Sequence, residues 1–407
     1  MIKIVLKDPK GLETDYLKRL VTPLQKIIDC LDLCLADLQS PRAITVNSVT
    51  TGTYEDFTRK TLMILDPAKS FIKKDFEPAD YQATVLAYVN GINKLTDIDI
   101  PKLRAFLDDL SASNSLKLKE FLVCPADKLS QMNKDLIASQ SLNDKEIKVI
   151  CLAISYGIGA LSEAAKGFFR KHNLVKTCPY CNYENAEYIP EKRKTKTVTA
   201  RVHQLDHFFS QTDHPLLELC MYNLVPSGIS CNSRTCKGQI CFKDKFHLNP
   251  YIDGFNSDMM FVPQRIGLKT IRISLDFLGT PGSTREMQIM GNASDTSKEG
   301  YQKGNKNVFK LQGLYENLKE ESDLVLKYVD RRIAGRSSNF RFFEKMVGLD
   351  IKASHKKWYK EEIRTPFDPS EFNEKPLSKF NRDIHDSYVM ENLNWKNKFL
   401  KDFIKYP

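Results

Sequence analysis

Apolar residues recur every three or four positions through the first 170 residues. In LETDYLKRLVTPLQKIIDCLDLCLADL, Leu17, Leu20, Val21, Leu24, Ile27 and Ile28 fall on one face of a helix. Pro23 interrupts that run, and its missing N–H predicts a kink or a restart. The same period returns in DYQATVLAYVNGINKL, IPKLRAFLDDL and NDKEIKVICLAISYGIGALSEAAKGFFRKH. Acidic and small residues open several of these segments, as helix N-caps do. Residues 1–170 therefore read as a helical domain for packing or partner binding, with no catalytic motif.

The texture changes near residue 175, where cysteines, histidines, aromatics and turn residues crowd together up to about residue 253. In TKTVTARVHQLDH, Val198, Ala200 and Val202 alternate with Thr197, Thr199, Arg201 and His203, which predicts a strand ending near Leu205. The preceding YIPEKRKTK suits the other arm of a hairpin. Ser230 is placed to cap a short helix from Cys231 to Lys237 that stops at Gly238. Farther on, LKTIRISLDFLG alternates Ile271, Ile273 and Leu275 as a strand does. VFKLQGLYENLKEESDLVLKYVDRRI reads as a helix with Leu311, Leu314, Tyr315 and Leu318 on one side. The fold class expected is α+β: a helical domain (1–170), a central module (171–255) and a mixed α/β extension (256–407).

Composition narrows the picture little. Of the 407 residues, 42% are hydrophobic and 28% charged, which is ordinary for a globular chain. The net charge of +10 suggests an anionic partner, with nucleic acid the commonest. Residues 331–364 hold ten Lys or Arg against four acids, interleaved with Phe340, Phe342, Phe343, Trp358 and Tyr359. Such a stretch serves as a solvated face over a satellite core or as a nucleic-acid surface. The tail WKNKFLKDFIKYP reads as a basic amphipathic helix. The opening MIKIVLKDPKG lacks a signal-peptide core, and no run reaches the roughly 18 apolar residues of a membrane span. The chain is expected in the cytoplasm, with no membrane partner and with its ten cysteines reduced.

Cys178 and Cys181 in TCPYCN have the spacing that turns two thiolates toward one tetrahedral metal. A structural zinc needs two more donors, for which Cys231 with Cys236 or Cys241 are the candidates and Cys220 a weaker one; the alternative is buried or loop thiols without metal. A regular second pair would begin at position 228, which is Gly228. A closed thiolate site leaves no position for chemistry, so a catalyst has to lie elsewhere.

Beyond the cysteine knuckle the chain carries the ordered set Asp206, His207, Asn223 and Asn232. LDHF, then NLVPS, then CN and KG, with CPYC upstream, resembles the HNH endonuclease family in its zinc-bearing branch, over roughly residues 175–253. The resemblance implies a ββα-metal module made of hairpin, loop and short helix. It implies that His207 is the general base and that Asp206 and Asn232 hold a catalytic Mg²⁺ or Mn²⁺. Asn223 would brace the loop and orient His207. Arg201, Arg234 and Lys237 flank the proposed cleft and would position DNA phosphates. His203 and His214 are expected to be structural. In FHLNPYID, Asn249 stands where the family segment would carry a histidine, with His247 nearby.

The function implied is hydrolysis of DNA phosphodiester bonds. A neutral histidine takes a water proton near neutral pH, and a hard divalent ion stabilises the charge that develops. The layout also resembles nucleases of bacterial anti-phage defence pairs, in which an ATPase or sensor on another chain licenses cutting. Two alternatives stand beside it. One is a zinc-stapled nucleic-acid-binding module, and the other a scaffold on a degenerate nuclease, which Gly228 and Asn249 suggest.

Overall fold

Helix α1 (Pro9–Gln39) is the longest helix among the described residues. The computed structural model describes residues 1–39, 99–154, 159–193, 196–201, 204–238, 240–292, 302–335, 357–366 and 368–393. Of the expectations above, DYQATVLAYVNGINKL, His203, most of the basic and aromatic stretch of 331–364 and the tail from Trp395 lie outside the described residues. The fold is mixed α+β, and among the described residues no helix is long and apolar enough to cross a membrane.

The chain divides into two compact units that do not follow three consecutive segments. One combines Lys7–His172 with His207–Val225, and the other combines Met1–Leu6, Asn173–Asp206 and Pro226–Pro407. The units part between His172 and Asn173, close to the boundary expected near residue 170, while residues 255 and 256 lie within one unit. One boundary falls between Asp206 and His207.

In the helical unit the buried seam of α1 is Tyr16, Leu20, Leu24, Ile28, Leu31 and Leu35. Tyr16 leads it, not Leu17, because a straight helix advances about 3.6 residues per turn and the seam follows that drift. The helix runs through Pro23. Against α1 pack α2 (Ile100–Leu122), α4 (Asp144–Ile154) and α5 (Gly159–His172), with α3 (Leu129–Ser139) following α2. Asp99 caps α2 by accepting the Lys102 N–H at 3.0 Å. Within α2, Ser113, Asn114 and Ser115 take left-handed φ values of 52°, 59° and 57°, so the helix breaks there. Gln25 spans the break, donating to Ser111 Oγ at 2.6 Å and accepting from Ser115 Oγ at 2.7 Å.

In the other unit β1 (Ile189–Arg193) and β2 (Lys196–Arg201) form an antiparallel hairpin. The single strand expected up to Leu205 is two: β3 (Gln204–His207) follows β2 and pairs with β4 (Leu224–Ser227). Helix α6 (Ile229–Asn232) comes directly after β4. A second hairpin joins β5 (Met259–Ile266) to β6 (Lys269–Phe277) through Gly267 at φ +57°. The register slips between Gln264 and Arg265, so Ile271 opposes no residue of β5. That bulge turns Ile271 outward and Thr270 inward, while Ile273 and Leu275 stay buried as expected.

Helix α7 (Thr284–Met290) precedes α8 (Gly304–Val308), α9 (Leu311–Glu316) and α10 (Lys319–Gly335). The long helix expected from Val308 onward is thus divided, with Lys310 left-handed at φ 50° ahead of α9. Helices α9, α10 and α11 (Ser378–Leu393) pack on the β5–β6 hairpin. Asp383 of α11 accepts the Phe261 N–H at 3.1 Å and pairs with Lys379 at 2.9 Å.

Candidate functional site

The chain around Cys178 and Cys181 is a knuckle closed by a Thr177–Asn185 bridge. The Asn182 N–H donates to the Cys178 carbonyl at 2.7 Å, and Asn182 turns the chain at a left-handed φ of 53°. Neighbouring segments clamp this turn. The Asn182 side chain donates to the Thr177 hydroxyl and the Phe372 carbonyl and accepts the Lys379 N–H. The Tyr315 hydroxyl donates to the Cys181 carbonyl. The first residues of the chain strap the same region, with the Ile2 N–H on the Pro179 carbonyl at 2.8 Å.

Helix α6 brings Cys231 to this knuckle. The sulfurs of Cys178, Cys181 and Cys231 are buried and lie within 4.8 Å of one another. Cys181 has its thiol held well below the usual range, because Cys178 and Cys231 direct their S–H groups at it and backbone N–H groups of Glu184 and Tyr183 do the same. Elsewhere burial works the other way, pushing Cys124 up to about 11 and Cys151 up to about 12. Three buried sulfur donors this close together suit zinc or a similar metal. Among the described residues Cys236 and Cys241 do not join the group. Cys236 lies half-buried in the turn after α6, and Cys241 directs its sulfur at the Phe242 carbonyl. The expected four-cysteine set is therefore three.

His207 closes β3 and sits half-buried in the helical unit. Its Nε2 stands 3.0 Å from the Glu218 carbonyl oxygen and 3.2 Å from the Gln211 amide. A carbonyl only accepts, so Nε2 carries the proton and in the neutral ring Nδ1 is the basic nitrogen. Asn223 is buried and spans the loop that follows His207. It accepts the Phe209 N–H at 2.8 Å and donates to the carbonyls of Phe209 at 3.2 Å and Leu217 at 3.0 Å. Leu217 directly precedes the residue whose carbonyl holds His207.

The helices of this unit hold the same loop from the other side. Tyr16 of α1 donates to the Leu219 carbonyl at 2.8 Å, and Cys220 directs its S–H at the Phe121 carbonyl at the end of α2. Tyr222 donates to Glu13 at 2.7 Å. His214 is structural, 5.1 Å from the Phe209 ring and 3.4 Å from the Asn133 amide.

Asp206 belongs to the other unit and is placed unlike a metal ligand. Its carboxylate is buried, with the Lys237 ammonium 2.9 Å from one oxygen and the Tyr180 hydroxyl 2.6 Å from the other. Burial and the charge of Asp206 hold the Tyr180 hydroxyl well above the phenol range, so it donates. Lys237 also lies 4.9 Å over the Phe242 ring. Phe242 stacks at 4.0 Å on His247, whose ring burial holds down to about 3. Lys237 is 2% exposed, so it is a core residue and not a phosphate contact. His247 accepts the Lys243 N–H, and Asn249 accepts the Tyr251 N–H in its own turn.

Asn232 is the last residue of α6, a single turn that starts two residues earlier than expected and ends at Asn232 instead of Lys237. Gly228 is the N-cap, and Ser230 lies inside the helix without capping it. Gly238, at φ +49°, closes the turn that follows. The Asn232 amide donates to the Gln204 side chain at 3.0 Å. Arg234 is exposed, and Arg201 is the last residue of β2. Sequence reasoning missed Tyr180, Glu218 and Tyr16, whose roles depend on contacts far apart in the chain. Compared with known proteins, the chain matches no family model, no curated protein and no solved structure.

Proposed function

We propose that the chain is an HNH-type endonuclease that hydrolyses phosphodiester bonds of DNA. The observation that carries this reading is the His207 ring. Its Nε2–H is spent on the Glu218 carbonyl, at the end of a strand whose partner strand leads straight into a short helix. A base held in one tautomer is oriented before substrate arrives. In this reading Nδ1 of His207 takes the proton of a water as its oxygen attacks phosphorus, and the 3′ oxygen leaves. Asn223 keeps the loop in register so that the ring does not rotate away. The net charge of +10 supports an anionic substrate, with exposed Arg234 as one phosphate contact.

The reading also carries a divalent ion, Mg²⁺ or Mn²⁺, on Asp206 and Asn232. Asp206 as placed does not fit one, because an ammonium and a phenol hydroxyl hold both of its oxygens. The knuckle fits a structural zinc, which on the order of 10–16 kcal/mol of apparent binding would make a folding element. A licensing ATPase or sensor on a separate chain belongs to the same reading.

A second reading draws on that closed carboxylate: a zinc-stapled nucleic-acid-binding module without catalysis. Nicking of supercoiled plasmid with Mg²⁺ or Mn²⁺, beside an EDTA control and His207→Ala, separates the two. The nuclease predicts nicking that is lost in the variant, and the EDTA control reads whether a divalent ion takes part. Binding without nicking by either protein, with any ATPase partner encoded beside it present, selects the binding module.

A further inference from the structure

Position 228 stands three residues before Cys231, the spacing by which Cys178 and Cys181 bring two sulfurs to one ion. Its residue is glycine, yet the backbone does not ask for one. Gly228 has φ −68° and ψ 152°, a conformation open to any L residue. Space is what keeps it small. A Cβ built there would stand 2.1 Å from Glu184 Oε2 and 2.9 Å from both the Cδ and Cβ of Glu184. The Glu184 side chain stands where a side chain at position 228 would begin.

We propose that Glu184 is the fourth ligand of the metal held by Cys178, Cys181 and Cys231, so that the site has three sulfurs and one carboxylate oxygen. This rests on reading the cluster as a zinc site. Glu184 is wrapped around the cluster already: its carbonyl accepts the Cys178 N–H at 2.9 Å, and its N–H is directed at the Cys181 sulfur. The Gly228 N–H is directed at the Cys178 sulfur, so position 228 lies beside that donor. Zinc accepts carboxylate oxygen at about 2.0–2.2 Å alongside thiolate. The carboxylate oxygens stand outside the group of donors within 4.8 Å of one another, so the half-exposed side chain rotates inward to bind. Glu184 Oε2 also accepts the Ser230 N–H at 3.2 Å, a contact that would orient the group from behind. Cys236 is the rival ligand, and a count of bound thiolates separates it.

The test uses the full chain, its zinc content measured and its zinc exchanged for Co²⁺. Thiolate-to-cobalt charge-transfer intensity rises with the number of bound thiolates. The expected result is one metal per chain, three-thiolate intensity, and no change in Cys236→Ala. Glu184→Ala and Glu184→Gln should each weaken Zn²⁺ affinity by about 10–100-fold, read by competition with a chromophoric chelator. Gln keeps an acceptor for Ser230 N–H, so its loss of affinity reports the carboxylate and not the helix contact. The double variant Glu184→Ala, Gly228→Cys should restore affinity with four-thiolate intensity. Metal bound with unchanged affinity in both Glu184 variants overturns the ligand assignment alone. So does four-thiolate intensity in the wild-type chain that falls in Cys236→Ala, a result that needs no Glu184 variant to fold. A wild-type chain that binds neither ion overturns the zinc reading and the ligand with it.

Discussion

The ring of His207 is held by the main chain of Glu218: Nε2 stands 3.0 Å from that carbonyl oxygen. A side-chain partner could rotate away, whereas a carbonyl fixed by its own loop cannot. If Nδ1 of this ring is the general base, His207→Ala should slow nicking by about 10²–10⁴-fold and leave the thermal melt nearly unchanged. Nicking at the wild-type rate by the variant would remove His207 from the chemistry.

Asn223 makes that loop rigid through its bonds to Phe209 and Leu217. Asn223→Ala strands buried backbone groups and should cost about 1–3 kcal/mol or more in urea denaturation. Asn223→Asp keeps the shape but turns an acceptor toward two carbonyls, and should be no better tolerated. Nicking in both variants should fall further than the unfolded fraction accounts for. Activity in step with the folded fraction would make Asn223 a purely structural residue.

Lys237 and Asp206 form a pair removed from water. Lys237→Met leaves a buried carboxylate without its cation, which costs about 3–5 kcal/mol. Adding Asp206→Asn should recover most of that loss. A surface lysine that contacts phosphate would behave in the opposite way, with stability unchanged and DNA affinity reduced. Denaturation and a salt-dependent binding assay on the same variants distinguish the two.

Glu146 ties α4 to α2 in the helical unit. Burial raises its affinity for a proton, but the Lys102 ammonium at 2.6 Å and the N–H groups of Asn143 and Asp99 outweigh that and hold the carboxyl below its ordinary 4.5. A depressed folded-state value means stability present above about pH 4.5 and lost as pH falls through the lower folded value. Glu146→Gln should therefore melt earlier than wild type at pH 7 by about 1–3 kcal/mol, with the gap closing toward pH 3. A gap independent of pH would assign the loss to packing instead of charge.

Much of the secondary structure was legible in the residues. The period of three and four marked α1, α2 and α4, and strict alternation marked β6, because those repeats follow from backbone geometry. Legibility ended where one residue changed the phase. Ile271 faces outward only because the β5–β6 register slips. The helix expected from Val308 divides at Lys310, whose left-handed φ has no signature in lysine. The reach of β3 to β4 across a loop also went unseen, since strand pairing is set by partners distant in sequence.

Within the candidate site, the residue types and their order were set by sequence alone. Cys178 and Cys181 were legible as donors by spacing, with Cys231 among the candidates to join them, whereas the role of Asn223 as the brace of the loop came only from the family resemblance. Tertiary structure decided what each is free to do. It buries Lys237 against Asp206, leaves Cys236 out of the sulfur group, and fills the space at Gly228 with Glu184. Spacing determines which atoms can meet through the local chain. Burial and charge pairing depend on every segment packed around them, and only the folded chain supplies those.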